Sequence, residues 1–114
     1  IIVTTPCPEG ISPVHTDLVN FTSWSSREIK DAYRSGRLKN GVAAALAIAW
    51  AQVREKARII TYSPGLSAEE KLALGHTDAP DLAFAIKEAL ADQGPDAVIS
   101  VLTHAPEMLP FRAE

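Results

Sequence analysis

The chain is poor in cysteine and in aromatic residues. Its 114 residues include one cysteine, Cys7, and only 6% aromatic side chains. A single cysteine excludes an internal disulfide framework and a zinc site made of four cysteines, and it is typical of proteins from a reducing compartment. A chain of this length is nevertheless long enough to bury a core without disulfides. We therefore expect residues 1–114 to form a single domain.

Long apolar runs and basic clusters are also missing. The longest apolar run, residues 41–51, is too short to span a bilayer, and we expect no signal peptide. The net charge is −3, and the densest basic run, residues 27–39, also holds Glu28 and Asp31. These features predict a cytoplasmic protein that binds neither membranes nor nucleic acid.

The common catalytic motifs do not occur in the chain. No G-x-G-x-x-G follows a predicted strand, and neither a P-loop lysine pattern nor a G-x-S-x-G nucleophile motif is found. The three histidines, His15, His76 and His104, are not spaced as pairs of metal ligands along one element. We interpret His76 as a polar turn residue. The absence of these motifs means that the sequence gives no support for dinucleotide binding, nucleotide binding or hydrolase chemistry.

Composition and periodicity predict three strands and four helices. The β-branched run at 1–5 is typical of a strand, and the first strand looks cut from something longer. Capping boxes and N-caps mark four helix starts, and glycines mark three of the ends. Residues 14–24 are ambiguous, residues 6–13 form a loop and residues 76–80 a turn. The predicted strands are 1–5, 58–63 and 95–104, and the predicted helices are 25–36, 40–57, 67–75 and 82–94.

This order, β-α-α-β-α-α-β, predicts an α/β fold. Near-continuous Ile, Val and Leu in the strands favour a parallel sheet that is buried on both faces, and right-handed crossovers would place helices on each side. The expected architecture is a three-layer α/β/α sandwich, Rossmann-like, around a short, mostly parallel sheet. Three strands make a narrow sheet, so we expect at least one further strand upstream.

Ligands of open α/β sheets bind beyond the carboxyl ends of the strands, so the loops after each predicted strand contain the candidate site residues. Glu9 and Gly10 offer a carboxylate and a close backbone approach, although a plain turn explains them as well. His15 and His104 both follow strand ends and could meet in a metal or proton-transfer role, or only make surface hydrogen bonds. Ser63 completes the set of substrate-facing or interdomain-facing residues. We predict no catalytic residue and no metal ligand within the chain.

Three stretches together resemble one enzyme family, the nickel-dependent lactate racemases. "IIVTTPCPEGIS" is similar to a segment in which a hydrophobic strand runs into a Cys/acid-Gly loop. "ITYSPGLSAEEKLALGHTDAPDLAFAIKEAL" resembles the next unit, with a Ser-Pro, a Glu-rich helix, a Leu-Gly and a second helix. "QGPDAVISVLTHAPEMLP" resembles the close of the family's domain. The resemblance covers nearly the whole chain.

The resemblance implies a reaction class and a place in a larger enzyme. Members of the family are two-domain α/β proteins that invert 2-hydroxy acids by transient hydride transfer on a nickel-pincer nucleotide. The nickel ligand, the covalent lysine and the catalytic histidines belong to their N-terminal domain, and the C-terminal domain closes over the substrate. The family's Tyr-Gln…Lys motif lies upstream of the first strand and is not found here. The resemblance thus implies that residues 1–114 are most of a C-terminal domain, inactive alone and without cofactor, whose partners are the N-terminal domain of the same protein and a small 2-hydroxy acid.

Two other interpretations stay open on the sequence. A non-enzymatic α/β module for interaction or regulation would also lack a catalytic constellation. A small standalone enzyme that uses Cys7 or His104 is the third possibility.

Overall fold

A computed structural model gives the fold of residues 1–11 and 19–107, which form a mixed α/β unit. The elements follow in the order β1 (Ile2–Thr4), α1 (Ser26–Arg34), α2 (Gly41–Arg54), β2 (Ile60–Tyr62), α3 (Ala68–Ala73), β3 (Thr77–Asp78) and α4 (Leu82–Gln93), and a short 3-10 helix spans Ala105–Glu107.

The sheet is short and fully parallel, with the strand order β1-β2-β3. Ile2 lies opposite Ile60 in the first pair, and Ile60 lies opposite Thr77 in the second. Parallel strands need crossover connections, and helices supply them here. The predicted α/β class and parallel sheet are therefore confirmed.

The four helices begin at the predicted capping residues. Ser25 accepts a hydrogen bond from the backbone N–H of Glu28, and the Glu28 carboxylate accepts one from the Ser25 N–H. Ser67 and Glu70 make the same reciprocal capping box at α3. Asn40 and Asp81 cap the other two helices by accepting from backbone N–H groups three residues ahead, those of Ala43 and Phe84.

Helix α4 covers one face of the sheet. Its Ala85 and Ala89 pack against side chains of β1 and β2, namely Ile2, Ile60 and Tyr62. Small alanines let the helix approach the strands closely. Arg58, just before β2, bonds Asp92 at 2.7 Å and Glu88 at 3.2 Å. The C-terminal end of α4 therefore lies at the amino end of β2, so the helix runs antiparallel to the strands.

Helices α1 and α2 pack against each other around a second cluster. Ile29 of α1 meets Ala47 and Ala51 of α2, and Phe21 joins them. Trp24 lies against Phe21 edge to face, with ring centroids 5.6 Å apart. The small residues of α2 thus form its contact with α1.

Two predicted elements, the strand 95–104 and the turn 76–80, are wrong. Residues 95–104 do not form the third strand, because none of this stretch is paired and Val98 and Val101 are 93% and 78% exposed. The third strand lies instead inside the predicted turn 76–80, where Thr77 and Ala79 donate backbone hydrogen bonds to Ile59 and Thr61. A β-branched run forms a strand only beside a partner, and 76–80 has that partner. The observed order is accordingly β-α-α-β-α-β-α.

The helices of the described ranges are all too short or too polar to cross a lipid bilayer.

Candidate functional site

The loops after β1 and β2 meet at the carboxyl edge of the sheet. The strands are parallel, and Thr5 still donates a backbone hydrogen bond to Tyr62 at 3.3 Å where they end. The chain then turns away in two loops, Pro6–Gly10 and Ser63–Leu66, which we name the strand-end site. This is the edge at which open α/β sheets bind ligands.

Gly65 is where the two loops touch. A Cβ built on Gly65 would overlap the backbone carbonyl of Cys7 and the carbonyl oxygen of Pro6. Backbone packs directly on backbone here, which only glycine permits. The two loops can therefore lie this close together only because Gly65 has no Cβ.

The first loop is a tight turn. Gly10 donates a hydrogen bond from its backbone N–H to the carbonyl oxygen of Cys7 at 2.9 Å, which closes a β-turn with Pro8 in its second position. Cys7 itself has a positive φ of 37°. Non-glycine residues rarely adopt such a conformation, and it persists only where the surroundings impose it. The Cys7 Sγ lies 3.4 Å from the Thr5 hydroxyl.

Ser63 places an unpartnered hydroxyl in this site. Its side chain is buried, and its Oγ has no hydrogen-bond partner among the described residues. Buried hydroxyls are nearly always satisfied by protein or by ordered water. Ser63 is therefore the residue of the strand-end site that most clearly lacks a partner.

The predicted site residues differ in exposure and in their neighbours. Glu9 is exposed on the first loop, and Gly10 lies next to the Glu70 side chain at the start of α3. Ser63 is on the second loop. His104 is exposed, and its Nδ1 lies 3.1 Å from the Thr103 hydroxyl.

The structure brings the loops of Glu9, Gly10 and Ser63 together at one edge. His104 has only local hydrogen bonds within the described ranges, with Thr103 and through its carbonyl oxygen with the Glu107 N–H. His15 lies outside the described residues, so the proposed meeting of His15 and His104 stays a prediction.

His76, which the sequence presented as a turn residue, is buried. Its Nδ1 lies 2.8 Å from the Thr61 hydroxyl in the middle of β2, and its ring stacks on Trp50 of α2 at 5.1 Å. Its Nε2 is buried without a partner among the described residues. Burial, aided by the nearby positive charge of Arg54, holds the pKa of His76 below its usual value.

This shift makes stability depend on pH. The unfolded chain takes up a proton on His76 near the ordinary value of about 6.5, whereas folded His76 stays neutral to lower pH. The unfolded state then binds more protons, so the free energy of unfolding falls as the pH drops below about 6.5 and is constant above it. Urea titrations between about pH 5 and pH 8 should show this slope reduced in His76→Gln. Equal slopes in wild type and His76→Gln would contradict the assignment.

A partly buried ion pair lies beside His76. Lys71 of α3 is buried, and its Nζ lies 2.6 Å from the carboxylate of Asp78 in β3. Arg54 uses one guanidinium nitrogen to bond the carbonyl oxygens of Phe21 and Trp24, at 3.3 and 3.4 Å. These contacts hold α3 against β3 and fix the end of α2. We interpret these contacts as structural, because the ions of the pair bond each other and the Arg54 Nη2 bonds backbone carbonyls, while the Arg54 Nε is buried without a partner among the described residues.

The described residues offer no set of donor atoms for the nickel-pincer group that the resemblance implies. Residues 1–11 and 19–107 contain no group of three or more His, Cys, Asp or Glu side chains placed to hold a metal ion. We therefore derive no reaction step through nickel from this chain.

Comparison with protein-family models, with curated proteins and with solved structures finds no match for the chain.

Proposed function

We propose that the chain is the substrate-closing C-terminal domain of a nickel-pincer-dependent 2-hydroxy acid racemase or epimerase, similar to lactate racemases. The N-terminal domain of the same protein would supply the cofactor and the catalytic groups. The reaction class comes from the three stretches that resemble that family, and the role of the domain from the surface described next. The whole enzyme is proposed to be cytoplasmic, in keeping with the single cysteine of these 114 residues.

The observation that carries the closing role is an exposed apolar stripe on α2. The stripe consists of Val42, Leu46, Trp50 and Val53, which recur every three or four residues and so share one face of the helix. Each of the four is more than two-fifths exposed. With Phe21 and Leu74, part of the stripe walls an apolar groove of about 320 Å³.

Exposed apolar patches are typical of surfaces that contact another protein, a membrane or a ligand. The Trp50 indole donates a hydrogen bond to the Leu74 carbonyl oxygen at 3.1 Å, which fixes the ring as a wall of the groove. We assign the stripe to contact with the N-terminal domain. Closure of two domains excludes water from a reaction and positions the substrate.

The strand-end site supports the same assignment. Its two loops are held at a fixed distance by the contact between Gly65 and Cys7, and its Ser63 hydroxyl has no partner within the described ranges. A rigid edge of this kind suits the positioning of a 2-hydroxy acid. Ser63 itself is 2% exposed, so its hydroxyl supports the loop from inside and does not contact the substrate.

The finer architecture, a three-layer Rossmann-like sandwich, belongs to the same proposal. Ile60 and Tyr62 face α4, and the intervening Thr61 points to the other side because successive side chains of a strand alternate. There Thr61 meets His76, and His76 stacks on Trp50 of α2. This chain of contacts supports helix layers on both faces of the sheet.

A non-enzymatic interaction module is the alternative, because the α2 stripe would suit an external partner as well. The two proposals differ in what the stripe controls. A closing domain affects catalysis by the whole protein, whereas an interaction module affects only the recruitment of another protein.

Charge variants of the stripe in the full-length protein test the closing role. Leu46→Asp is expected to lower kcat/KM for inversion of a 2-hydroxy acid at least about tenfold, since it places a carboxylate in an apolar contact at a cost of at least about 1.4 kcal/mol. The rate is followed by chiral chromatography, with circular dichroism to show that the variant is folded.

Leu72→Asp on α3 is the matched control. Leu72 is 74% exposed and does not belong to the stripe, so this variant should keep the wild-type rate. Equal rates for Leu46→Asp and Leu72→Asp would overturn the assignment of the stripe to domain closure.

A further inference from the structure

Two side chains of α2 contact the segment that joins α3 to β3. The Trp50 ring stacks on the His76 imidazole, with centroids 5.1 Å apart, and its indole N–H donates to the Leu74 carbonyl oxygen at 3.1 Å. The Arg54 side chain lies on Gly75, where an added Cβ would come within 2.9 Å of the Arg54 Cδ. Both side chains therefore contact the same three consecutive residues.

The apolar groove beside α2 depends on these contacts. Phe21, several residues of α2 and Leu74 line the groove, and Trp50 is the α2 residue that bonds Leu74. Trp50 is 41% exposed, whereas the His76 ring on which it stacks belongs to a residue that is 5% exposed. His76 is thus an inner support for the Trp50 wall of the groove.

The environment of His76 suits a neutral imidazole. Its Nδ1 lies 2.8 Å from the hydroxyl of Thr61, an uncharged residue of β2, and its Nε2 is buried without a partner among the described residues. A neutral imidazole donates from one nitrogen, whereas an imidazolium donates from both. Protonation would therefore leave a buried, charged donor without an acceptor among the described residues, which is costly.

The charged groups near His76 do not offset an added positive charge. Arg54 of α2 is itself a cation, and its charge opposes protonation. Lys71 of α3 and Asp78 of β3 lie 2.6 Å apart, so the carboxylate on this side is already paired with a cation. The face of Trp50 attracts cations. In a stacked pair, however, the N–H bonds of the imidazole lie in its own plane, so the indole face cannot accept the Nε2 proton.

We propose that His76 is a pH-sensitive switch for the groove beside α2. Protonation moves the imidazole from beneath Trp50 into water, and the indole then loses its stacking partner and its fixed bond to Leu74. Acid thereby loosens α2 from residues 74–76 and opens the groove, whereas neutral His76 keeps the groove in shape. The effect of the switch on domain closure rests on the proposed function, but the switch itself does not.

The pKa of His76 sets the direction of the switch. Burial and the charge of Arg54 hold this pKa below its ordinary value of about 6.5. The groove therefore keeps its shape at neutral pH, and it opens only as the pH falls through the lower pKa of the folded chain.

An NMR titration of the ¹⁵N-labelled chain from about pH 7.5 to about pH 4 tests the switch without an assay of activity. The two indole N–H signals belong to Trp24 and Trp50, and Trp50→Phe assigns them. The protection of the Trp50 indole N–H, relative to free indole at the same pH, is expected to fall at least about tenfold. This fall should have the same midpoint as the titration of the His76 ring signals.

The Trp24 indole is the internal reference for this titration. Trp24 packs edge to face on Phe21 in the cluster between α1 and α2, so its signal should stay unchanged while that of Trp50 changes. A Trp50 indole that keeps its protection over the whole range shows that the groove does not respond to pH. Loss of protection at both tryptophans together shows that acid unfolds the whole chain. Either result overturns the proposal.

Two variants test whether His76 is the group that controls Trp50. The amide of His76→Gln does not titrate, so the Trp50 protection in this variant should be independent of pH. Arg54→Gln removes the neighbouring cation, so the pKa of His76 should rise and the midpoint of the Trp50 change should move to higher pH. An unchanged pH dependence in His76→Gln, or an unchanged midpoint in Arg54→Gln, overturns the proposal.

Failure of the switch and failure of the proposed function give different results. The NMR titration measures only the groove of this chain, so it can succeed with a protein that inverts no 2-hydroxy acid. A full-length protein that inverts a 2-hydroxy acid, in a chain whose Trp50 indole is insensitive to pH, keeps the proposed function and overturns the switch.

Discussion

Replacement of Gly65 with alanine is expected to lower the free energy of unfolding by about 3 kcal/mol, the upper end of the range for an overpacked site. The added methyl group would overlap the backbone of Pro6 and Cys7. Backbone cannot rotate away as a side chain can, so the loops after β1 and β2 must separate. That separation also strains the hydrogen bond from Thr5 to Tyr62 at the end of the strands.

Gly41→Ala is the matched control for this variant. Gly41 begins α2, and its added Cβ would meet only the Tyr33 side chain, with the Tyr33 hydroxyl at 3.1 Å. Tyr33 is half exposed and can turn aside, while alanine favours the helix by up to about 1 kcal/mol. Urea titrations should therefore give Gly41→Ala at least wild-type stability. A Gly65→Ala protein as stable as wild type would show that the loops are not packed as described.

The helices were predictable because their start signals are local. Ser25 with Glu28, and Ser67 with Glu70, are separated by one helical turn, and each pair closes its capping box within the same four residues. Such interactions need no distant partner, so the sequence alone is enough to locate them. The predicted N-caps Asn40 and Asp81 are confirmed for the same reason.

The strands were harder to predict because their partners are distant in sequence. Thr77 and Asp78 are polar and form only a two-residue strand, yet β2 pairs with them because α3 brings them alongside. Residues 98–102 have far better strand composition and are unpaired. β-propensity indicates which segments tolerate an extended backbone. Whether such a segment pairs depends on whether the fold places a strand edge beside it.

The site was predictable in outline and not in detail. Glu9, Gly10 and Ser63 were expected to share the carboxyl edge because parallel strands align their ends, and their loops do meet there. The buried His76 was not expected, since its ring is covered by Trp50 from a helix 26 residues earlier in the chain. No local pattern around His76 encodes that stacking.

Interconversion of enantiomers is the largest effect that the proposed function predicts. The full-length protein that carries this chain should bind nickel and convert a pure L-2-hydroxy acid into its D-isomer, because its catalytic domain would supply the cofactor and this domain would close over the substrate. The 114-residue chain alone should do neither. For a substrate with a single stereocentre the two enantiomers have equal free energy. The reaction should therefore reach equal amounts of the L- and D-acid from either pure enantiomer.

The decisive measurement is chiral chromatography of L-lactate and other L-2-hydroxy acids after incubation with the full-length protein purified from its native host, with metal analysis of the same sample. The account predicts that the opposite enantiomer accumulates and that nickel is present in the active protein. A folded, full-length protein that contains no nickel and leaves every 2-hydroxy acid unchanged would contradict the proposed function and favour the interaction module.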